Sequence, residues 1–175
     1  GDTSTDSHHA LPTVDFTRER IEEIELYPYR ELIKNGLASV MVAHLNVPSI
    51  EPRENYPSSL SEKVVTDILK NQLKFEGLIF TDALNMKGAS NFKQPGDIDL
   101  AAFLAGNDVL LFAENVPTAI EKFKQAFKDN LFTEERLAHS VKKILKYKYK
   151  AGLNNYCPIE FENLYADLNK KEYKA

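Results

Sequence analysis

The chain has 175 residues, of which 43% are hydrophobic and 27% charged, with a formal net charge of −4, an ordinary globular composition with enough length for one domain and a core. Its lysines and arginines are scattered instead of forming a stripe, which excludes the electrostatic footprint of a nucleic-acid binder, and it has no apolar run of the ~18 residues a membrane span needs. Cys157 is the single cysteine, so neither an internal disulfide nor a cysteine metal cage can form.

The chain opens on a polar loop, GDTSTDSHHALP, with no element in front of it. From Phe16 to Lys34, apolar residues at Ile21, Ile24, Leu26, Tyr29, Leu32 and Ile33 recur at helical spacing and Gly36 stops the run; Pro28, lacking an amide donor, should bend or split this helix. ASVMVAH (38–44) is short, apolar and β-branched, the pattern of a buried strand. A loop with Pro48, Pro52 and Pro57 follows, and Ser61 is placed to cap a helix whose face is Val64, Val65, Ile68 and Leu69.

The pattern repeats. GLIFTD (77–82) reads as a second buried strand, ending on a carboxylate, and a loop leads to a short helix from about Asp97 that hands over at Gly106 to a third strand, DVLLF (108–112). Pro117 suits the first turn of a helix running to about Lys128, and Thr133 caps a last one through about Tyr149. Strands alternating with helices predict an α/β fold of about three parallel strands joined by crossovers. Residues 1–150 form that unit, and 151–175, aromatic and charged without a period, read as a linker or surface strap.

In parallel α/β architectures the reactive groups gather where strands end and loops begin. His44 and Asp82 close two strands, and Asp2, Asp6, His8 and His9 lie in the opening loop. An aspartate at a strand end is commonly a turn former. In TDALNM, however, small Ala83 and nearby Gly88 would let another molecule approach, and Met86 offers an apolar wall, so Asp82 can serve as nucleophile or as stabiliser of a cationic transition state. A loop histidine is commonly just solvated, but Asp6, two residues earlier, can orient the His8 ring for proton delivery near neutral pH. His9 competes for that role. The four loop residues match no metal-binding spacing.

The strings GDTSTDSHHALP, SVMVAHLNVP, ENYPSSLS and FEGLIFTDALNMKGAS, in this order, resemble the bacterial β-N-acetylglucosaminidases of glycoside hydrolase family 3. The resemblance covers about the first 150 residues. It implies the C-terminal half of a (β/α)8 TIM barrel, entered just past the fifth strand, with ASVMVAH, GLIFTD and DVLLF as strands six to eight. A whole barrel takes ~250 residues, so the chain alone is expected to be catalytically incomplete and to self-associate through exposed sheet edges. By the same resemblance Asp82 is the catalytic nucleophile, His8 the general acid/base and Asp6 its dyad partner. His44 and Met86 line the sugar pocket, and neither metal nor cofactor is called for.

The implied reaction removes a terminal β-linked N-acetylglucosamine with retention, through a glycosyl-aspartate intermediate. The DSH dyad sets this reading apart from family 3 β-glucosidases, which share the nucleophile strand. A glucosidase-like enzyme and a non-catalytic α/β binding module are the alternatives. Because imidazole loses its proton to become neutral, phosphate would be repelled less than by a carboxylate and could replace water as acceptor. Localisation stays unassigned.

Overall fold

The computed structural model describes Thr3, residues 5–158 and residues 161–173; Asp2 falls outside them. By internal contacts the chain divides into a larger unit, Gly1–Ile144, and a smaller one, Leu145–Ala175.

The first helical stretch is split, as Pro28 requires. α1 (Arg18–Arg20) starts from the Thr17 side chain, which accepts from the Arg20 amide, and widens into a π turn over Ile21–Glu25; α2 (Tyr27–Lys34) restarts with Pro28 in its first turn, where no amide is needed. β1 (Ser39–Val42) and β2 (Leu78–Thr81) pair in parallel, Ser39 opposite Leu78 and Val42 opposite Thr81. Their crossover contains a helix over Lys63–Gln72 that begins after Ser61, whose hydroxyl accepts from the Val64 amide. That helix is π-wound, a difference that apolar spacing does not announce.

After β2 come α3 (Lys87–Ser90), α4 (Asp97–Ala105), α5 (Val116–Lys128) and α6 (Glu134–Lys150). Asn115 caps α5 and Thr133 caps α6 through their side chains. The third expected strand is reduced to one parallel bridge, Val109 opposite Phe80. The chain does run beside β2, with Thr81 N–H donating to Val109 O and Val109 N–H to Ile79 O, both at 3.0 Å. Two residues on, the Thr81 hydroxyl takes the Leu111 amide in place of a backbone carbonyl, and Phe112 turns into the left-handed region at φ 53°. The regular ladder therefore stops.

β1 is likewise not the buried strand its composition suggests. Only Val42 is buried, and Met41 is 54% exposed. Val42, Val65, Leu69, Phe75, Ile79 and Ala105 form the core beneath the two strands. A second cluster, Leu60, Leu84, Ala89, Ile98 and Ala102, seats the segment that follows β2. Burying a Leu- or Ile-sized side chain stabilises by ~1.5–3 kcal/mol, so Leu84, 1% exposed, anchors the loop beginning at Asp82. The smaller unit holds the end of α6 and the short α7 (Leu164–Leu168), and every described side chain classed from Ala151 onward is exposed, Cys157 included.

Among the described residues no helix is long and apolar enough to cross a membrane, and no three His, Cys, Asp or Glu side chains converge as metal ligands would.

Candidate active site

The register of β1 against β2 puts their carboxyl ends on one rim, so His44, two residues past β1, and Asp82, directly after β2, become neighbours. Asp82 is half-buried; its amide donates to Val42 O at 3.0 Å and its Oδ1 accepts from the Ala83 amide at 2.8 Å. One carboxylate oxygen is thus oriented by the backbone of its own turn. Ala83 O accepts from the Met86 amide at 3.0 Å, closing that turn before α3. Met86 itself is nearly buried, at 9% exposure.

His44 is fully buried, and both ring nitrogens are engaged: Nε2 lies 3.0 Å from Ala83 O and Nδ1 2.6 Å from Ser59 Oγ. A carbonyl only accepts, so Nε2 carries the hydrogen. Nδ1 of the neutral ring then accepts from the Ser59 hydroxyl. Burial pushes the ring below its ordinary value of 6.5, outweighing the Ala83 carbonyl and the nearby Asp82 charge. No ring nitrogen is left for a sugar hydroxyl. The geometry instead ties the histidine that follows β1 to the residue after Asp82.

The opening loop carries the second group. Asp6 Oδ1 accepts from the His8 amide at 2.9 Å and lies 2.8 Å from His8 Nδ1, while Asp6 O accepts from the His9 and Ala10 amides at 3.0 and 3.1 Å. The His8 amide first, and then its ring, hold the Asp6 carboxyl below its usual range. An ionised Asp6 fixes the hydrogen of a neutral His8 ring on Nδ1 and leaves Nε2 free. Both side chains stand well out in solvent, at 70% exposure for His8 and 58% for Asp6.

Two anchors hold this loop. At its end, Asn46 N–H donates to Pro12 O and Val14 N–H to Asn46 O, both at 2.8 Å, continuing the line of β1. Near the dyad, the Gly88 amide donates to Ser7 O at 3.1 Å. Loop and α3 border a cleft of about 230 Å³ lined by Ala10, Leu11, Asn55, Lys87, Asn91 and Phe92, with Gly88 between them. A larger apolar cleft of about 570 Å³, walled by Leu110, Ile120, Phe123, Phe127 and Phe132, includes none of Asp6, His8 and Asp82.

Sequence reasoning singled out Asp6, His8, His44, Asp82 and Met86 but missed Ser59 and read Gly88 as room for another molecule. The room at Gly88 is taken by the opening loop itself. Ser59 lay inside the ENYPSSLS string, yet nothing in the string announces a bond to a histidine 15 positions earlier.

Residues 1–147 match the glycosyl hydrolase family 3 N terminal domain. The chain belongs to glycosyl hydrolase family 3. β-Hexosaminidase A of Pseudoalteromonas piscicida is 32% identical over 169 residues, covering 86% of this chain and 28% of that protein. A β-hexosaminidase of Chromobacterium violaceum is 38% identical over 109 residues, covering 61% and 29%. Among solved structures, a glycoside hydrolase family 3 β-N-acetylglucosaminidase from Paenibacillus sp. str. FPU-7 superposes with a TM-score of 0.85 at 35% identity, covering 92% of this chain and 31% of that one. β-Glucoside phosphorylase BglX superposes with a TM-score of 0.82 at 26% identity, covering 90% and 30%. This family 3 chain therefore spans roughly a third of the relatives it matches, and its parallel strands and crossover helices are part of their TIM-barrel-like α/β fold.

Proposed function

We propose that the protein carrying this chain is a retaining β-N-acetylglucosaminidase in which Asp82 is the nucleophile and His8, oriented by Asp6, the general acid/base. The carrying observation is the Asp6–His8 pair at 2.8 Å on a loop bonded, through Ser7 O and the Gly88 amide, to the segment that begins at Asp82. The names of the β-hexosaminidase relatives support the substrate class.

In the first displacement an Asp82 oxygen bonds to the anomeric carbon as the glycosidic bond breaks, and protonated His8 gives its proton to the departing oxygen. Water then attacks the anomeric carbon, His8 takes the water proton, and the Asp82 ester is released. Two inversions give net retention. Ionised Asp6 stabilises the imidazolium and keeps the Nδ1 proton in place, so the proton exchanged is the one on Nε2. An imidazole needs no buried pocket to exchange protons near neutral pH, in keeping with the exposure of His8. His44 acts as a positioning residue: its Nε2–H holds Ala83 O and so the turn that aims Asp82.

Hydrolysis of a 4-nitrophenyl N-acetyl-β-glucosaminide by the complete protein tests this reading. Asp82→Asn should abolish turnover, and His8→Ala should lower it on poor leaving groups by the 10²–10⁴-fold general acid catalysis typically supplies. Unchanged turnover by Asp82→Asn would refute the assignment. Added phosphate should divert part of the product to a sugar 1-phosphate, because deprotonated His8 bears no charge to repel it; BglX, named a phosphorylase, shares the fold. Free water as the only acceptor at any phosphate concentration removes that extension. Taken alone, the 175-residue chain should be inactive and should self-associate along β1, whose Met41 is 54% exposed; a monomer at every concentration in sedimentation contradicts the latter.

A further inference from the structure

α3 starts without a cap of its own. Its N-cap residue, Met86, makes no side-chain capping bond, and the helix's own carbonyls serve only later amides: Ala89 and Ser90 both donate to Met86 O, at 2.9 and 2.8 Å. The Gly88 amide belongs to the first turn, where helix geometry provides no acceptor. Its acceptor is Ser7 O, one residue from His8 and one from Asp6. The opening loop thus caps the helix that follows Asp82.

The residue type fits that contact. Gly88 has a helical backbone and no positive φ, so its conformation does not call for glycine, and alanine is the better helix former by ~1 kcal/mol. Space does call for it. A Cβ at this position would sit 3.0 Å from Ser7 O, 3.4 Å from Ala10 O and 3.4 Å from His44 Cβ. Two of those neighbours are backbone carbonyls of the loop, on either side of the dyad's histidine, and the third belongs to the buried residue that holds Ala83 O. The side without a side chain is where the loop, α3 and His44 meet.

We infer that Gly88 is a positioning residue for acid catalysis: its amide and its missing side chain dock the Asp6–His8 loop against the segment that presents Asp82. This rests on the reading of His8 and Asp82 given above. A methyl group here pushes the Ser7 carbonyl away by a few tenths of an ångström or breaks its hydrogen bond to the Gly88 amide, and His8, the next residue, moves with it. Asp82 is not displaced directly, because no Asp82 atom is among the three the methyl would meet, and His44 Cβ, at 3.4 Å, is in ordinary contact and need not shift. The defect therefore falls on proton delivery more than on nucleophilic attack.

The test compares Gly88→Ala with the wild type in the complete protein on two N-acetyl-β-glucosaminides, one with a 4-nitrophenyl leaving group that departs without protonation and one with an alkyl leaving group that needs it. The expected result is a loss in kcat/KM of about tenfold or more on the alkyl glycoside, since sub-ångström misplacement of a catalytic group is costly, against less than about twofold on the nitrophenyl one. Added to His8→Ala, Gly88→Ala should cost nothing further on the alkyl substrate, because the group it positions is already gone. Equal losses on both substrates, or additive losses in the double variant, overturn the proposal. A His8→Ala variant that shows no leaving-group dependence refutes the acid/base reading instead, which keeps the two failures apart. Amide hydrogen exchange of the complete wild-type protein supplies a second measurement should Gly88→Ala fold poorly. Protection of the Gly88 amide comparable to that of Ala89 supports the docking bond, and exchange at the free-peptide rate overturns it.

Discussion

Replacing His44 with phenylalanine keeps a ring of similar shape in a fully buried position while removing both polar atoms. The Ser59 hydroxyl, which is also fully buried, loses the acceptor 2.6 Å away, whereas Ala83 O keeps the Met86 amide at 3.0 Å. Leaving one buried polar group unsatisfied costs ~1–3 kcal/mol and losing the second, partly compensated bond costs ~0.5–1.5 kcal/mol, so His44→Phe should destabilise by about 2–4 kcal/mol. Urea unfolding of the 175-residue chain, with wild type and variant at the same concentration, reads this as a fall in the midpoint of about 1–2 M for a slope of ~2 kcal/mol/M. The pH dependence sharpens the test. Burial holds the folded pKa of His44 below its ordinary 6.5, so between the two values the unfolded chain binds more protons than the folded one. That contribution to stability is full above about pH 6.5 and is lost as the pH falls toward the folded value. His44→Phe should remove this segment of the stability profile. A change below about 0.5 kcal/mol at pH 7.5, with the acid slope intact, would refute the paired, neutral histidine.

Two other predictions concern the scaffold. The Asp108 side chain is wholly buried, accepting from the Ser140 hydroxyl at 2.6 Å, the Lys143 ammonium at 2.5 Å and the Ile79 amide at 3.1 Å; Lys143→Met strands that charge and should destabilise by ~3–5 kcal/mol in urea unfolding, with Asp108→Asn in the same chain recovering part of it. An effect under about 1 kcal/mol would mean the pair is not formed. Glu51, bonded first to the Arg53 guanidinium and also to the Ser61 hydroxyl, has its pKa lowered from 4.5 to about 2. Its contribution is present above about pH 4.5 and is lost as the pH falls toward 2. Because Arg53 is half-exposed, it amounts to only ~1–2 kcal/mol, and Glu51→Gln should flatten the acid limb by that amount; an unaltered limb contradicts it.

Much of the scaffold was legible in the sequence because its signals are local. Thr133 and Ser61 announce helix starts through their own hydroxyls, and Pro28 and Pro117 lie in first turns because they have no amide to leave unpaired. The failures are non-local. Whether β1 is covered depends on what packs over Met41, and composition cannot tell a strand buried on both faces from one with an open face. DVLLF has the apolar content of a strand, but the Thr81 hydroxyl and the turn at Phe112 cut its ladder to Val109. In the candidate site, Asp6 and His8 were readable as a pair because only Ser7 separates them. His44 was legible as a strand-end residue, but its ring partners were not, since Ser59 and Ala83 lie 15 and 39 positions away. Gly88 shows the same limit: its smallness was visible, but which backbone comes close was not.

The central claim, that Asp82 forms a covalent bond to the sugar, is tested most directly by trapping. The complete protein would be treated with a 5-fluoro N-acetylglucosaminyl fluoride, which slows release of the ester, and the adduct located by mass spectrometry of its peptides. The account predicts one sugar on Asp82 and none in Asp82→Asn. A label on any other residue, or inversion at the anomeric carbon of the product seen by NMR, would contradict it.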